Sequence, residues 1–301
     1  MPEGDTIHKI AGYLAPRIEN EVIERAEARD SALARRCEGR TVNGVTARGK
    51  HLFIELDDGS ALRSHLGMYG SWHRYAPGAE WRKPRRQASL VLAIAGSDYV
   101  CFNAKEVELI RLPSVRERVV HGRLGPDLIA DDVSAAALVR RAREILEADV
   151  ILADVLLDQR VACGVGNVYK SEVAFIERLH PAAPLGGVPD ERLAGCFDTA
   201  AALLRRNLGG GRRVTRFEND GAGRLWVYGR DGRPASLATA VFVRRGWDGT
   251  SGVPTGARAA NRRKTREAYA QAPRHSGAIP AAACGCGMRE HLRGVHGWSA
   301  S

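Results

Sequence analysis

Two periodicities divide this chain. From residue 51 the sequence alternates: in His51-Leu52-Phe53-Ile54-Glu55-Leu56 the apolar Leu52, Ile54 and Leu56 share one face, as a half-buried strand requires. Asp57-Asp58-Gly59 supplies a tight turn into Ser60-Ala61-Leu62-Arg63-Ser64-His65, so the two runs read as a hairpin. Residues 89–95 and 98–102 repeat the pattern around Gly96-Ser97, and residues 107–112 add another strand. Ahead of them Ile7, Ile10 and Leu14 recur at helical spacing and predict a helix over residues 6–17.

Past Gly125-Pro126-Asp127 the period lengthens. Residues 134–149 predict a helix with Leu138, Ala142, Ile145 and Leu146 on one face and Ser134 as N-cap. Residues 190–208 predict another, striped by Leu193, Phe197, Ala201, Leu204 and Leu208. A β half followed by an α half, joined near residues 125–133, makes an α+β chain of two domains with a cleft between them for a ligand. From about Gly246 periodicity is lost except over residues 261–271, and Gly, Ala, Pro, Arg and His dominate; this tail reads as mostly disordered.

Charge narrows the choice of partner. The 301 residues carry a net +10, and residues 205–274 alone hold 16 Lys/Arg against 5 Asp/Glu. Such a stretch suits a polyanion, although a solvated basic tail has the same composition. No apolar run reaches membrane-spanning length and the start is not a signal peptide, so a cytoplasmic protein is expected. Cys37, Cys101, Cys163 and Cys196 have no disulfide-framework spacing and read as free thiols.

Two segments carry candidate chemistry. Met1 precedes a small residue, so its removal would expose Pro2 as a secondary amine. An α-amino group titrates near pH 8, about two units below lysine, and is the better nucleophile at neutral pH. On an aldehyde-level carbon a secondary amine gives an iminium that cannot lose a proton to become neutral, an electron sink suited to elimination from a sugar. Glu3 beside it is placed to protonate the sugar oxygen. Met-Pro-Glu is also an ordinary way for a chain to begin. In Gly164-Val165-Gly166-Asn167-Val168-Tyr169 the glycines interrupt a helix and Asn167 opens the next one. That makes either a phosphate clamp at a helix N-terminus or a plain interhelical turn with Asn167 as cap.

Met1-Pro2-Glu3-Gly4-Asp5-Thr6 closely resembles the endonuclease VIII-type start of the formamidopyrimidine-DNA glycosylase/endonuclease VIII family, and Gly164–Tyr169 resembles its helix–two-turn–helix element. Arg48-Gly49-Lys50-His51-Leu52 is similar to the strand carrying the family's catalytic lysine, and Gly125-Pro126-Asp127-Leu128 to its entry into the second domain. The resemblance implies an N-terminal β-sandwich domain flanked by helices (residues 1–130) and a helix–two-turn–helix domain (131–225). A degenerate finger (226–247) and a basic tail (248–301) would follow.

It also implies roles. Pro2 would attack C1′ of a damaged nucleotide, Glu3 would act as general acid, and Lys50 would bind the neighbouring phosphate. Asn167 would hold a backbone phosphate, and Glu172 would be a buried structural carboxylate. A base must be flipped out of the duplex for such chemistry. His65-Leu66-Gly67-Met68-Tyr69-Gly70 resembles the family's inserting loop, with Met68 and Tyr69 as wedges; packed into the core they would instead be a strand end.

The chain departs from the family at its finger. Tyr228-Gly229-Arg230-Asp231-Gly232-Arg233-Pro234 resembles the lead-in, but Ala235-Ser236-Leu237-Ala238 stands where the first C-x-x-C should be, and the second is missing. No hairpin arginine is identifiable, although Arg244 and Arg245 lie near. Cys284, Cys286, His291 and His296 have zinc-compatible spacing but lie far from the finger, so no cofactor is expected. The expected protein is a monomeric, nucleoid-associated glycosylase and abasic-site lyase acting on damaged double-stranded DNA, preferring oxidised pyrimidines. An oxidised-purine glycosylase and a non-catalytic DNA-binding protein are the alternatives.

Overall fold

The first helix begins earlier than its apolar spacing predicts. Helix α1 spans Gly4–Ile18, and its first turn is closed by Thr6 and Ile7 N–H donating to the Glu3 carbonyl. Ile7, Ile10, Ala11, Leu14 and Ile18 form its buried face. The computed structural model describes residues 1–111, 124–217 and 223–230.

Among the described residues eight strands follow: β1 (Ile23–Ala28), β2 (Val42–Arg48), β3 (His51–Leu56), β4 (Ser60–His65), β5 (Ser71–Tyr75), β6 (Ala88–Ile94), β7 (Ser97–Phe102) and β8 (Glu106–Arg111). Helix α2 (Ser31–Cys37) lies between β1 and β2. The strands form two antiparallel sheets, ordered β1-β6-β7-β5 and β2-β3-β4-β8. One apolar core joins Leu90, Leu92 and Ile94 of the first sheet to Leu52, Ile54 and Leu62 of the second, with the buried face of α1 packed on it. This is a sandwich with a helical flank.

β1, β2 and β5 are edge strands that alternation does not reveal. In β1 only Ile23 and Ala26 are buried, and β2 carries a register shift between Val42 and Gly44. Lys50 also moves relative to expectation. Gly49-Lys50 is the turn joining β2 to β3, so the lysine sits at the strand junction and not within a strand.

The second half contains α3 (Ala135–Ile145), α4 (Leu152–Leu157), α5 (Asn167–Ile176) and α6 (Asp190–Arg206). Their core includes Leu138, Val155, Tyr169, Val173, Phe197 and Leu204. Ser134 caps α3, its hydroxyl accepting the Ala137 N–H at 3.3 Å. Two stripes are shorter than periodicity predicts. α3 ends before Leu146, leaving Ile145 37% exposed, and α6 ends before Asn207, leaving Leu208 38% exposed. The Asn207 side chain stops α6 by donating to the Leu203 carbonyl at 2.8 Å and to the Val214 carbonyl at 2.7 Å.

Asp127 fastens the two cores together. Its fully buried carboxylate accepts from the Gly49 N–H at 2.6 Å and from the Ile129 N–H at 2.7 Å, and meets His8 Nε2 of α1 at 3.0 Å. Burial works against this charge, but the His8 and Gly49 hydrogen bonds outweigh it and hold the carboxyl below its usual pKa. Gly49 has φ +57, and a Cβ there would lie 2.8 Å from Cys163 Cβ, so close contact between the domains requires glycine.

Among the described residues no helix is long and apolar enough to cross a membrane. Of the expected finger only residues 226–230 are described. Arg244, Arg245, the 248–301 tail and its Cys284, Cys286, His291 and His296 lie outside the described residues.

Candidate active site

Helix α5 begins with backbone N–H groups that no helical carbonyl can satisfy. The Glu3 carboxylate satisfies them. It is fully buried and accepts from Gly166 N–H at 2.9 Å, Val168 N–H at 2.7 Å and Tyr169 N–H at 3.3 Å. An anion is favoured there by the helix dipole as well as by hydrogen bonding. The Gly4 N–H donates to the Gly164 carbonyl at 2.8 Å, and a Cβ on Gly4 would sit 2.8 Å from Gly164 Cα. The glycines at 164 and 166 therefore do more than break a helix: they admit the N-terminus into the two-turn element. Pro2, the candidate nucleophile, is buried at this junction.

A second charge pair closes the site from the other side. Arg213, beyond α6, donates through Nε to Asp5 Oδ2 at 3.0 Å and through Nη2 to Asp5 Oδ1 and to Thr6 Oγ1 at 3.1 Å. Its Nη1 reaches the Met1 carbonyl oxygen at 3.3 Å, and the guanidinium lies 4.8 Å above the Tyr169 ring. Burial opposes the Arg213 charge, but Glu3 and Asp5 more than offset this and raise its pKa further, so it is a permanent cation.

Two lysines face the same junction. Burial lowers the pKa of Lys50, with Glu3 pulling the other way. Lys170, on α5 and 4% exposed, is brought down to about 8 by burial, opposed by Asp154 and Glu3 and assisted by Lys50. Lys170 Nζ donates to Asn167 Oδ1 at 2.9 Å, which fixes the orientation of the amide. Asn167 is the first residue of α5, with Gly166 as the cap, and not itself the N-cap. Pro2, Glu3, Lys50 and Asn167 are thus gathered where the two domains meet.

Met68 and Tyr69 stand apart, on the loop between β4 and β5, 57% and 75% exposed. The strand-end reading, in which they pack into the core, is excluded. The loop is anchored by buried Leu66, whose carbonyl accepts the Gly70 N–H at 3.0 Å, and it turns through Gly67 at φ +62. It is linked to the buried group through β4. The His65 ring lies 4.8 Å from that of His51, the residue after Lys50. Burial, with His65 and Arg63 adding to it, takes the His51 pKa down to about 3, so this imidazole is neutral at physiological pH.

Glu172 is fully buried on α5. It accepts the Trp226 N–H at 2.7 Å, Val227 N–H at 2.9 Å and Tyr228 N–H at 2.8 Å, and the Thr215 hydroxyl. It ties the segment leading toward the finger region to the helix, a structural use of the carboxylate. Sequence reasoning missed Arg213, Lys170 and Asp127 as parts of this junction. Only Asp127 carried a signal, from its place in Gly-Pro-Asp-Leu. Among the described residues no three His, Cys, Asp or Glu side chains are grouped to hold a metal ion.

Known proteins share this fold and its two domains. The Formamidopyrimidine-DNA glycosylase N-terminal domain family matches residues 1–107, and the Formamidopyrimidine-DNA glycosylase H2TH domain family matches residues 124–218. A Streptomyces coelicolor protein named Probable endonuclease 8 2 is 37% identical over 260 residues, covering 85% of this chain and 91% of its own length. A DNA-(apurinic or apyrimidinic site) lyase of Mycolicibacterium smegmatis is 35% identical, over 78% of this chain and 89% of its own. Lactococcus lactis formamidopyrimidine-DNA glycosylase, solved non-covalently bound to DNA containing an abasic site, shares the fold with a TM-score of 0.67 at 22% identity. That alignment covers 80% of this chain and 92% of the other. The chain belongs to the formamidopyrimidine-DNA glycosylase/endonuclease VIII family.

Proposed function

We propose that this chain is a bifunctional DNA glycosylase and abasic-site lyase that removes oxidised pyrimidines from double-stranded DNA, using Pro2 as nucleophile. The observation that carries this reading is the burial of Pro2-Glu3 against the N-terminus of α5, with Lys50 at the same junction. A non-catalytic DNA-binding protein has no use for an N-terminal amine held there. The names of the Streptomyces and Mycolicibacterium relatives support the same activity.

The chemistry follows from the groups present. With Met1 removed, the Pro2 nitrogen lone pair attacks C1′ and the C1′–base bond breaks, its electron pair leaving with the base, which takes up a proton. The Pro2 nitrogen gives up its proton, and its lone pair then opens the C1′–O4′ bond. The Glu3 carboxylate takes up the proton that the Pro2 nitrogen releases and passes it to O4′, and C1′=N⁺ remains. That iminium acidifies the C2′ hydrogen; its loss expels the 3′ phosphate, and a second elimination expels the 5′ phosphate. Water hydrolyses the conjugate and frees Pro2. Lys50 supplies a fixed positive charge to the phosphate beside the lesion, Asn167 a neutral donor, and Met68 and Tyr69 fill the vacated stack.

Lesion choice is tested by single-turnover excision from duplexes carrying thymine glycol or 8-oxoguanine opposite cytosine. The pyrimidine lesion is expected to be released at least roughly tenfold faster, a discrimination typical of pocket fit. Faster release of 8-oxoguanine would place the chain with the purine-directed enzymes.

A further inference from the structure

The reaction above needs the Pro2 nitrogen unprotonated, yet the site surrounds it with carboxylates. Glu3 is its neighbour in the chain, and Asp5 lies one turn further on; both are fully buried. Alone they would favour the ammonium form, which cannot attack C1′. The cations that face this corner come from four directions. Arg213 comes from beyond α6, Lys9 from α1 with its Nζ 3.8 Å from Asp5, and Lys50 and Lys170 from the β2–β3 turn and α5, on the Glu3 side. Tyr169 lies beneath the Arg213 guanidinium, Cys163 faces Lys50 and Asp154 faces Lys170.

Arg213 differs from the other three in where it points. Its Nη1 donates to the carbonyl oxygen of Met1, an atom separated from the Pro2 nitrogen by a single carbon. When Met1 is cleaved, that oxygen departs and the guanidinium is left facing the newly freed amine. The Asp5 hydrogen bonds through Nε and Nη2 prevent the side chain from turning away, and Glu3 Oε1 lies 3.9 Å from Nη1.

Resting on Pro2 as nucleophile, we propose that Arg213 is a positioning residue for catalysis: locked onto Asp5, it places a fixed positive charge beside the processed N-terminus and keeps the Pro2 nitrogen a free base. It touches neither sugar nor base and acts only through the amine. The present N-terminal amine already responds in this sense: burial lowers its pKa and Arg213 lowers it further, while Glu3 and Asp5 oppose them. The Asp5–Arg213 pair thus has two outcomes. It neutralises a carboxylate that would otherwise favour the ammonium form of the amine, and it aims the leftover donor of the guanidinium at the reacting atom.

The test is the pH dependence of borohydride-trapped adduct formation on an abasic-site duplex, for the processed wild type, Arg213→Lys and Arg213→Gln. In Arg213→Gln the alkaline-rising rate is expected to shift its midpoint upward by about one unit or more, a tenfold loss at neutral pH recovered at high pH. Arg213→Lys keeps a cation and should stay close to wild type. A loss in Arg213→Gln that is the same at every pH would overturn the proposal, because a merely structural residue lowers the rate without moving the midpoint. A second measurement needs no variant. Competitive labelling of the wild-type Pro2 amine should show it titrating below the amine of a free Pro-Glu-Gly-Asp peptide, and titration at or above the peptide value would overturn the proposal. Failure of the wild type to form any adduct would instead contradict Pro2 as nucleophile.

Discussion

Replacing Gly166 with alanine is expected to reduce both lesion excision and abasic-site cleavage by about a hundredfold, the scale of a misplacement of around 1 Å at a reacting group. The added Cβ would stand 2.6 Å from Glu3 Cγ and 2.7 Å from Glu3 Oε1. Such separations force something to move, and neither side is free to do so. Glu3 is held by three backbone amides, and Gly166 is the N-cap of α5. The φ of −123 at this position suits any residue, so the effect is steric and local. The displaced group is the one attached to Pro2, so the nucleophile moves with it. Single-turnover kinetics beside a thermal melt will separate this from unfolding. A variant that melts near the wild type but retains activity within threefold would show that the Glu3 contact does not position the nucleophile.

Lys50→Met is expected to lower the rate of base release by about 10²–10³, the range for removing one preorganised charge from a transition state. Methionine keeps the apolar stem, and the turn is held by Gly49 and Asp127 independently of the lysine side chain, so folding should persist. The loss should fall on the chemical step more than on binding: one phosphate contact fewer should reduce the salt dependence of DNA affinity by about one unit of slope. A decrease of less than about tenfold in the single-turnover rate would assign the phosphate to Lys170 or Asn167 in place of Lys50.

The parts of this molecule legible in its sequence are those where one side faces an apolar core and the other does not. β3 and β4 alternate because they lie inside their sheet, and α1 carries its stripe because one face covers the sandwich. Among the edge strands β8 was read, but β1, β2 and β5 were hidden. Edges carry charge, as in Glu24, Arg25 and Glu27, or bulge, as at Val42–Gly44, and so lose the period that marks a buried strand. Candidate chemistry followed the same division. Pro2, Glu3, Lys50 and Asn167 were found through local motifs, and Met68 and Tyr69 through the loop that carries them.

Arg213 was invisible because its meaning is entirely tertiary. It lies 208 residues from Asp5, in a run of glycines and arginines with no period of its own. Lys170 shows the opposite failure. It lies one residue past the recognised Gly164–Tyr169 segment, and only burial distinguishes it from an ordinary helix-surface lysine.

The most direct measurement is borohydride reduction during reaction with a duplex carrying one abasic site, followed by peptide mass mapping of the trapped adduct. The account predicts a chain lacking Met1, with the sugar remnant on Pro2. An adduct on Lys50 or Lys170, or no adduct from processed protein that still binds the DNA, would contradict it.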